Sequence, residues 1–233
     1  MQVLPAIDVL EGRCVRLAGG DRERVTVEGG DPAEAARRFA AEGAAFLHLV
    51  DLDGAFSGSP TPGLIERVAV GVPVQVGGGY RTMEEIDAAL AAGAARVMVG
   101  TAALEPGFVR EAAESFGEQL LVAVDARDGY VVADGWNRTS AVPAPDLARE
   151  CAEAGVRRLL VTSATRDGSL AGPDLDLLES VIDASGLPVI AAGGIASLDD
   201  LTRLKEIGCE GAVLGSALWT GRITLEDALL CAR

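Results

Sequence analysis

A closed barrel of eight parallel strands and eight helices, a single (β/α)8 barrel of the α/β class, is the fold this sequence predicts, and two observations carry the prediction. Short apolar, β-branched runs alternate eight times with Ala/Glu/Leu/Arg stretches of helical period along the 233 residues. That alternation is the pattern of repeated strand-helix units on a parallel sheet. The second half of the chain also repeats the first. VPVQVGGGYRTMEEI from Val72 returns as LPVIAAGGIASLDDL from Leu187, VMVGTAAL from Val97 as AVLGSALW from Ala212, and PAIDVLEGRCV from Pro5 as VAVDARDGYVV from Val122. The repetition predicts two half-barrels of four units, about 1–117 and 118–233, within one domain spanning 1–233. An open, doubly wound sheet gives no reason for such a repeat, whereas eight units in a chain of this length close a barrel.

The strands read from the sequence are Val3–Asp8, Phe46–Asp51, Val74–Gly77, Arg96–Val99, Leu120–Asp125, Arg158–Thr162, Val189–Ala192 and Gly211–Leu214. Helices are expected to begin near Asp31, Thr61, Thr82, Pro106, Pro145, Asp174, Ser197 and Thr224. Asp31 is followed by Pro32 and Glu34, and Ser197 by Asp200, as an N-cap and an acidic first turn require.

Composition narrows the functional classes. With 20 Lys plus Arg against 35 Asp plus Glu, the formal charge of −15 argues against a nucleic-acid surface. No apolar run approaches the length that spans a bilayer, and the start MQVLPAIDVLEG has no basic region before its first carboxylates, so a cytoplasmic protein with no membrane partner is expected. The four cysteines, at 14, 151, 209 and 231, are far apart, form no CxxC and accompany a single histidine. They suggest neither a disulfide framework nor a metal site.

In a barrel of this kind the loops after the strands form the active face. Gly77, Gly78 and Gly79 follow the third strand and Gly100-Thr101 the fourth; Gly193-Gly194 and Gly215-Ser216 repeat them after the seventh and eighth. Glycines let backbone N–H groups approach a phosphate closely, and a helix start beyond adds partial positive charge. Thr101 and Ser216 add hydroxyls. Two such sites related by the repeat would hold a small molecule with a phosphate at each end.

Asp8 ends the first strand and Asp125, its repeat partner, the fifth, so the two face each other across the mouth. Paired acids across a cleft suit general acid/base chemistry. Thr162, Asp167 and Gly168 follow on the same face. His48 in the second strand reads as a packing residue or a ligand contact, Arg16 as a basic group in the first loop region, and Trp136 as a stacking platform or a lid.

Together these residues resemble the phosphoribosylformimino-aminoimidazole-carboxamide ribotide (ProFAR) isomerases of histidine biosynthesis. The resemblance runs from PAIDVLEGRCVRL at Pro5 through HLVDLDGAF at His48, VQVGGGYR at Val74, VGTAAL at Val99, VDARDGYV at Val124, DGWNRTS at Asp134, RDGSLAGP at Arg166 and AAGGIASLDDL at Ala191 to LGSAL at Leu214. It implies an aldose-ketose (Amadori) rearrangement of a bis-phosphorylated substrate, without metal or cofactor; separately, a monomer is expected. On the matching positions Asp8 is the base and Asp125 the acid, with Asp167 a rival for that role; Thr162 positions the sugar, Trp136 stacks on the aminoimidazole or closes over it, and Arg16 and His48 contact the substrate.

Two positions depart from the family pattern. Ser163 stands where many relatives have an acid after the strand threonine, a feature shared with the imidazole-glycerol-phosphate synthase cyclase, the first alternative reading. Against the cyclase stand Arg16, where that pattern has Lys, and the VDLDGAF string at Val50. Asp134 replaces an arginine found in relatives that also isomerise phosphoribosylanthranilate, and its charge opposes an anthranilate carboxylate. A non-catalytic phosphosugar-binding barrel is the more distant alternative.

Overall fold

The computed structural model describes residues 1–233. The chain opens with β1 (Gln2–Leu10), β2 (Arg13–Leu17) and β3 (Val25–Gly30), then α1 (Pro32–Ala41), β4 (Leu47–Asp51), α2 (Leu52–Ser57), α3 (Leu64–Val68) and β5 (Val74–Gly77). Next come α4 (Met83–Ala91), β6 (Arg96–Val99), α5 (Phe108–Phe116), β7 (Leu120–Arg127), β8 (Tyr130–Ala133), β9 (Arg138–Pro143) and α6 (Ala144–Glu153). β10 (Leu159–Ser163), α7 (Leu175–Ser185), β11 (Val189–Ala192), α8 (Leu198–Glu206), β12 (Gly211–Leu214), α9 (Ser216–Trp219) and α10 (Leu225–Cys231) complete it.

Eight of these strands pair in parallel in the order β1, β4, β5, β6, β7, β10, β11, β12, and β12 pairs with β1 to close the ring. The fold is the expected (β/α)8 barrel. Its strands alternate between two apolar environments. Val3, Ile7 and Val9 of β1 face the helices and join the larger core, whereas Leu4 and Ala6 face inward with Met98, Leu121, Leu160, Ile190 and Val213. Because both faces are buried, these strands read as continuous apolar runs. Burying each Leu or Ile side chain contributes about 1.5–3 kcal/mol.

The helices start where the sequence indicates a cap. The Asp31 carboxylate accepts from the N–H groups of Ala33 and Glu34. Thr82 with Glu85 and Ser197 with Asp200 form reciprocal capping boxes on α4 and α8. Asp174 and Thr224 cap α7 and α10. Thr61 is a correction: its N–H and hydroxyl both donate to Asp51, and α3 begins only at Leu64. The helix expected near Pro106 begins at Phe108, and Pro145 lies one residue inside α6.

A larger correction concerns the ends of the first and fifth barrel strands. β1 runs past Asp8 to Leu10 and β7 past Asp125 to Arg127, each continuing into an antiparallel extension, β2–β3 and β8–β9. Both hairpins turn on two residues of positive φ, Glu11-Gly12 (51° and 74°) and Asp128-Gly129 (52° and 83°). Such turns match the twist of the flanking strands. Asp8 and Asp125 are therefore held inside long strands. No helix of the structure is long and apolar enough to cross a membrane.

Candidate active site

Every site residue read from the sequence lines one cleft at the C-terminal end of the barrel. Asp8 and Asp125 stand on strands four steps apart in the ring of eight, which places them on opposite walls.

Asp8 is held by Arg16 from the neighbouring strand of the hairpin, whose Nη1 donates to Asp8 Oδ2 at 2.5 Å. The Asp8–Val15 register of β1 and β2 makes this pairing possible. Arg16 is 5% exposed and also lies 3.9 Å from Asp167 Oδ1. One buried cation thus serves two acids. Burial lifts the Asp8 carboxyl from 3.8 to about 6, with Arg16 pulling it down and the Asp167 charge adding to the rise. Burial likewise raises Asp167, against Arg16 and the Gly168 N–H, both of which favour its charged form.

Asp125 has no cation beside it. Trp136 Nε1 donates to its Oδ2 at 2.9 Å, and the hydroxyl of Thr162, its ladder partner on β10, also favours the charged form. Burial outweighs both and raises the carboxyl above its ordinary range. Trp136 is consequently turned toward an acid, with its ring against Gly20 of the β2–β3 turn and its carbonyl accepting from Arg127. Asp134, Gly135 and Trp136 all have positive φ, so this turn is conformationally demanding.

His48 lies in the barrel interior, where its Nδ1 is 2.8 Å from Gln75 Nε2. Burial, with Arg16 as a lesser cause, lowers its pKa to about 3, so the imidazole is neutral at physiological pH. The packing reading and the cleft reading both hold: the ring is hydrogen-bonded to a buried neighbour and still lines the cavity.

The two glycine loop pairs flank these groups. Gly78, Gly79, Gly193 and Gly194 have φ of 112°, 87°, 87° and 80°. Glu85 takes the N–H groups of Arg81 and Thr82, and Asp200 those of Ala196 and Ser197. The N–H groups just before them, on Gly79, Tyr80, Gly194 and Ile195, have no acceptor within the chain. Ser216 Oγ is buried without a partner, and Thr101 Oγ1 accepts from the Asp134 N–H. Each loop pair therefore offers unused donors.

A family model described as histidine biosynthesis protein matches residues 2–224. The chain belongs to that family. Among its relatives, a protein of Moorella thermoacetica is 48% identical over 241 residues, covering 100% of this chain and 98% of the relative. One of Chloroflexus aggregans is 46% identical over 237 residues with the same coverage, and one of Acetivibrio thermocellus 40% over 237 residues with 100% of both covered. All three are named 1-(5-phosphoribosyl)-5-((5-phosphoribosylamino)methylideneamino)imidazole-4-carboxamide isomerase.

Gln75, the partner of His48, is absent from the residues the sequence singles out, whereas the two departures at Ser163 and Asp134 both make contacts near the mouth. Gln75 was detectable as the lone polar residue of a buried strand beside the one bearing the only histidine. Arg81 reaches Asp134 at 3.6 Å, and Asp134 also accepts from Arg138 at 2.9 Å. Ser163, the first departure, donates to Asp174 at 3.0 Å. In the first half the roles are exchanged, Thr61 donating to Asp51 at 2.9 Å. Both pairs tie a strand end to the segment before the next helix.

Proposed function

We propose that this protein is an aldose-ketose isomerase that converts ProFAR to its ribulosyl form (PRFAR) by an Amadori rearrangement. The observation that carries the reading is the pair of opposed, differently set acids, Asp8 beside a buried cation and Asp125 without one, between two loop pairs with unused N–H groups. The isomerase names of full-length relatives support the same reaction.

The loops carrying Gly78, Gly79, Gly100 and Thr101, and those carrying Gly168, Gly193, Gly194, Gly215 and Ser216, take one phosphate each. The two halves, about 1–117 and 118–233, thereby share one substrate within a single chain, consistent with a monomer working in the cytoplasm. Asp125, whose carboxyl burial raises above the ordinary range, acts as the acid and gives its proton to the furanose ring oxygen. The C1–O bond breaks and the nitrogen lone pair forms a protonated imine. Asp8, kept ionised beside Arg16, removes the C2 proton, and the electron pair moves to the imine nitrogen. The resulting enolamine loses its hydroxyl proton and gains one at C1, giving the ketone. C1 is reduced and C2 oxidised within one molecule, so the chemistry is complete without a cofactor.

Thr162 positions the reacting sugar, and His48 donates or accepts one hydrogen bond as a neutral ring. Trp136 exchanges its bond to Asp125 for stacking on the aminoimidazole, which frees the acid at the moment the cleft fills. Asp167 supports Arg16 from the loop. The purified protein should convert ProFAR to PRFAR with no added metal or cofactor. Failure to do so would overturn the reading, and ring formation from PRFAR and ammonium salts would replace it with the cyclase.

A further inference from the structure

We propose that Trp219, outside the cleft, is a positioning residue that registers the strand of Asp8 against the loop and helix that follow β12. The proposal rests on the isomerase reading for its kinetic consequence and on geometry for its origin. β12 ends at Leu214, whose partner on β1 is Pro5, so the carbonyl of Ala6 lies one residue beyond the last ladder pair on that side. Trp219 Nε1 donates to that carbonyl at 2.8 Å. Ala6 and Asp8 are two residues apart on one strand, so their side chains share a face, both line the cleft, and a shift of the Ala6 peptide is carried directly to Asp8.

Trp219 is itself fixed from several sides. Its ring meets Phe39 edge-on with centroids 5.8 Å apart, and the Arg38 guanidinium lies 4.9 Å over it. A Cβ on Gly29 of β3 would collide with the indole, so that strand carries the one residue that admits it. Trp219 also ends α9, which starts at Ser216 directly after Gly215, and Gly215 packs against the Arg16 guanidinium. The indole therefore joins β1, the Gly215-Ser216 segment and α1 at one point.

The internal repeat supplies a comparison. Leu104 occupies the position of Trp219 in the first copy, at the end of the short turn from Thr101. A leucine has no donor, so the strand of Asp125 has no corresponding tie. Asp125 is instead held at its carboxylate by Trp136. The two acids are related by the repeat yet anchored differently: both carboxylates accept from a side chain, Arg16 on Asp8 and Trp136 on Asp125, and the strand of Asp8 alone has a backbone tie as well, at Ala6. A base that must meet a C–H proton at fixed distance requires the backbone tie.

The test compares wild type with Trp219→Phe, which keeps an aromatic ring against Phe39 and Arg38, and with a site-specific benzothiophene analogue of the tryptophan, which keeps the shape and lacks the N–H. Misplacement of a reacting group by 1 Å costs on the order of 10²-fold, so both variants should lose about tenfold in kcat with KM within about twofold. Carbon-13 NMR of the carboxylates should show Asp8 titrating at higher pH in both, because its pairing with Arg16 loosens, with Asp125 unmoved. An unchanged kcat and Asp8 titration with only a lowered Tm would make Trp219 a packing residue and overturn the proposal, as would a raised KM at unchanged kcat. A wild type without isomerase activity would remove the reaction reading instead, and the titration would still decide the positioning claim.

Discussion

At Asp8, burial and a neighbouring cation act in opposite directions on one carboxyl, and burial wins to leave it near 6. In the proposed mechanism Asp8 must be ionised to accept the C2 proton, so activity is expected to depend on its deprotonated form. As pH falls through about 6, kcat/KM, which reports the free enzyme, should drop, approaching about tenfold per pH unit below that point. Replacing Arg16 by Met removes a charge that favours the carboxylate, so the acid limb should move to higher pH. A pH-rate profile measures both, and a profile flat from about pH 7 to about pH 5 would contradict the assignment. His48 stays neutral throughout this range because burial holds it near 3, so it adds no limb of its own.

The loops after β5 and β11 show what the elements contribute beyond their single residues. Gly194 has a φ of 80°, its carbonyl accepts from the Gly172 N–H at 3.0 Å, and a Cβ there would run into the Gly172 carbonyl. Gly194→Ala should therefore raise KM by tenfold or more, with a smaller effect on kcat, and destabilise the fold by about 1–3 kcal/mol. Steady-state kinetics and thermal melting would check this; an unchanged KM would remove the loop from substrate binding. These loops were legible in the sequence because Gly-Gly after an apolar strand is a local signal. The barrel strands and the caps at Asp31, Thr82, Asp174, Ser197 and Thr224 were legible for the same reason. The hairpin extensions were less so, since β3 and β9 are short and bury no residue fully, although Glu11-Gly12 and Asp128-Gly129 marked their turns. The partners of the site residues were least legible. Arg16 meets Asp8 across a hairpin, Trp136 reaches Asp125 from the β8–β9 turn, and Gln75 meets His48 across adjacent barrel strands, so each contact is set by register and turn geometry, which residue type alone does not reveal.

On the scale of the whole molecule, the barrel brings three acids and one buried arginine to a single mouth and places unused backbone donors on either side. The protein carries a net charge of −15, so the attraction of a bis-phosphate depends on these local dipoles and on Arg16 and Arg81 rather than on the long-range field. In the proposed function the repeated loops grip the two ends of the ligand, while different anchors on Asp8 and Asp125 assign base and acid. The measurement that bears most directly on this division is single-turnover isomerisation by Asp8→Asn beside calorimetric binding of ProFAR. The amide preserves the shape and removes the base, so turnover should fall by on the order of 10² to 10⁴ with affinity within a few-fold of wild type. A variant that binds normally and retains about a third of wild-type kcat would contradict the account, since the loss of a general base costs on the order of 10² or more.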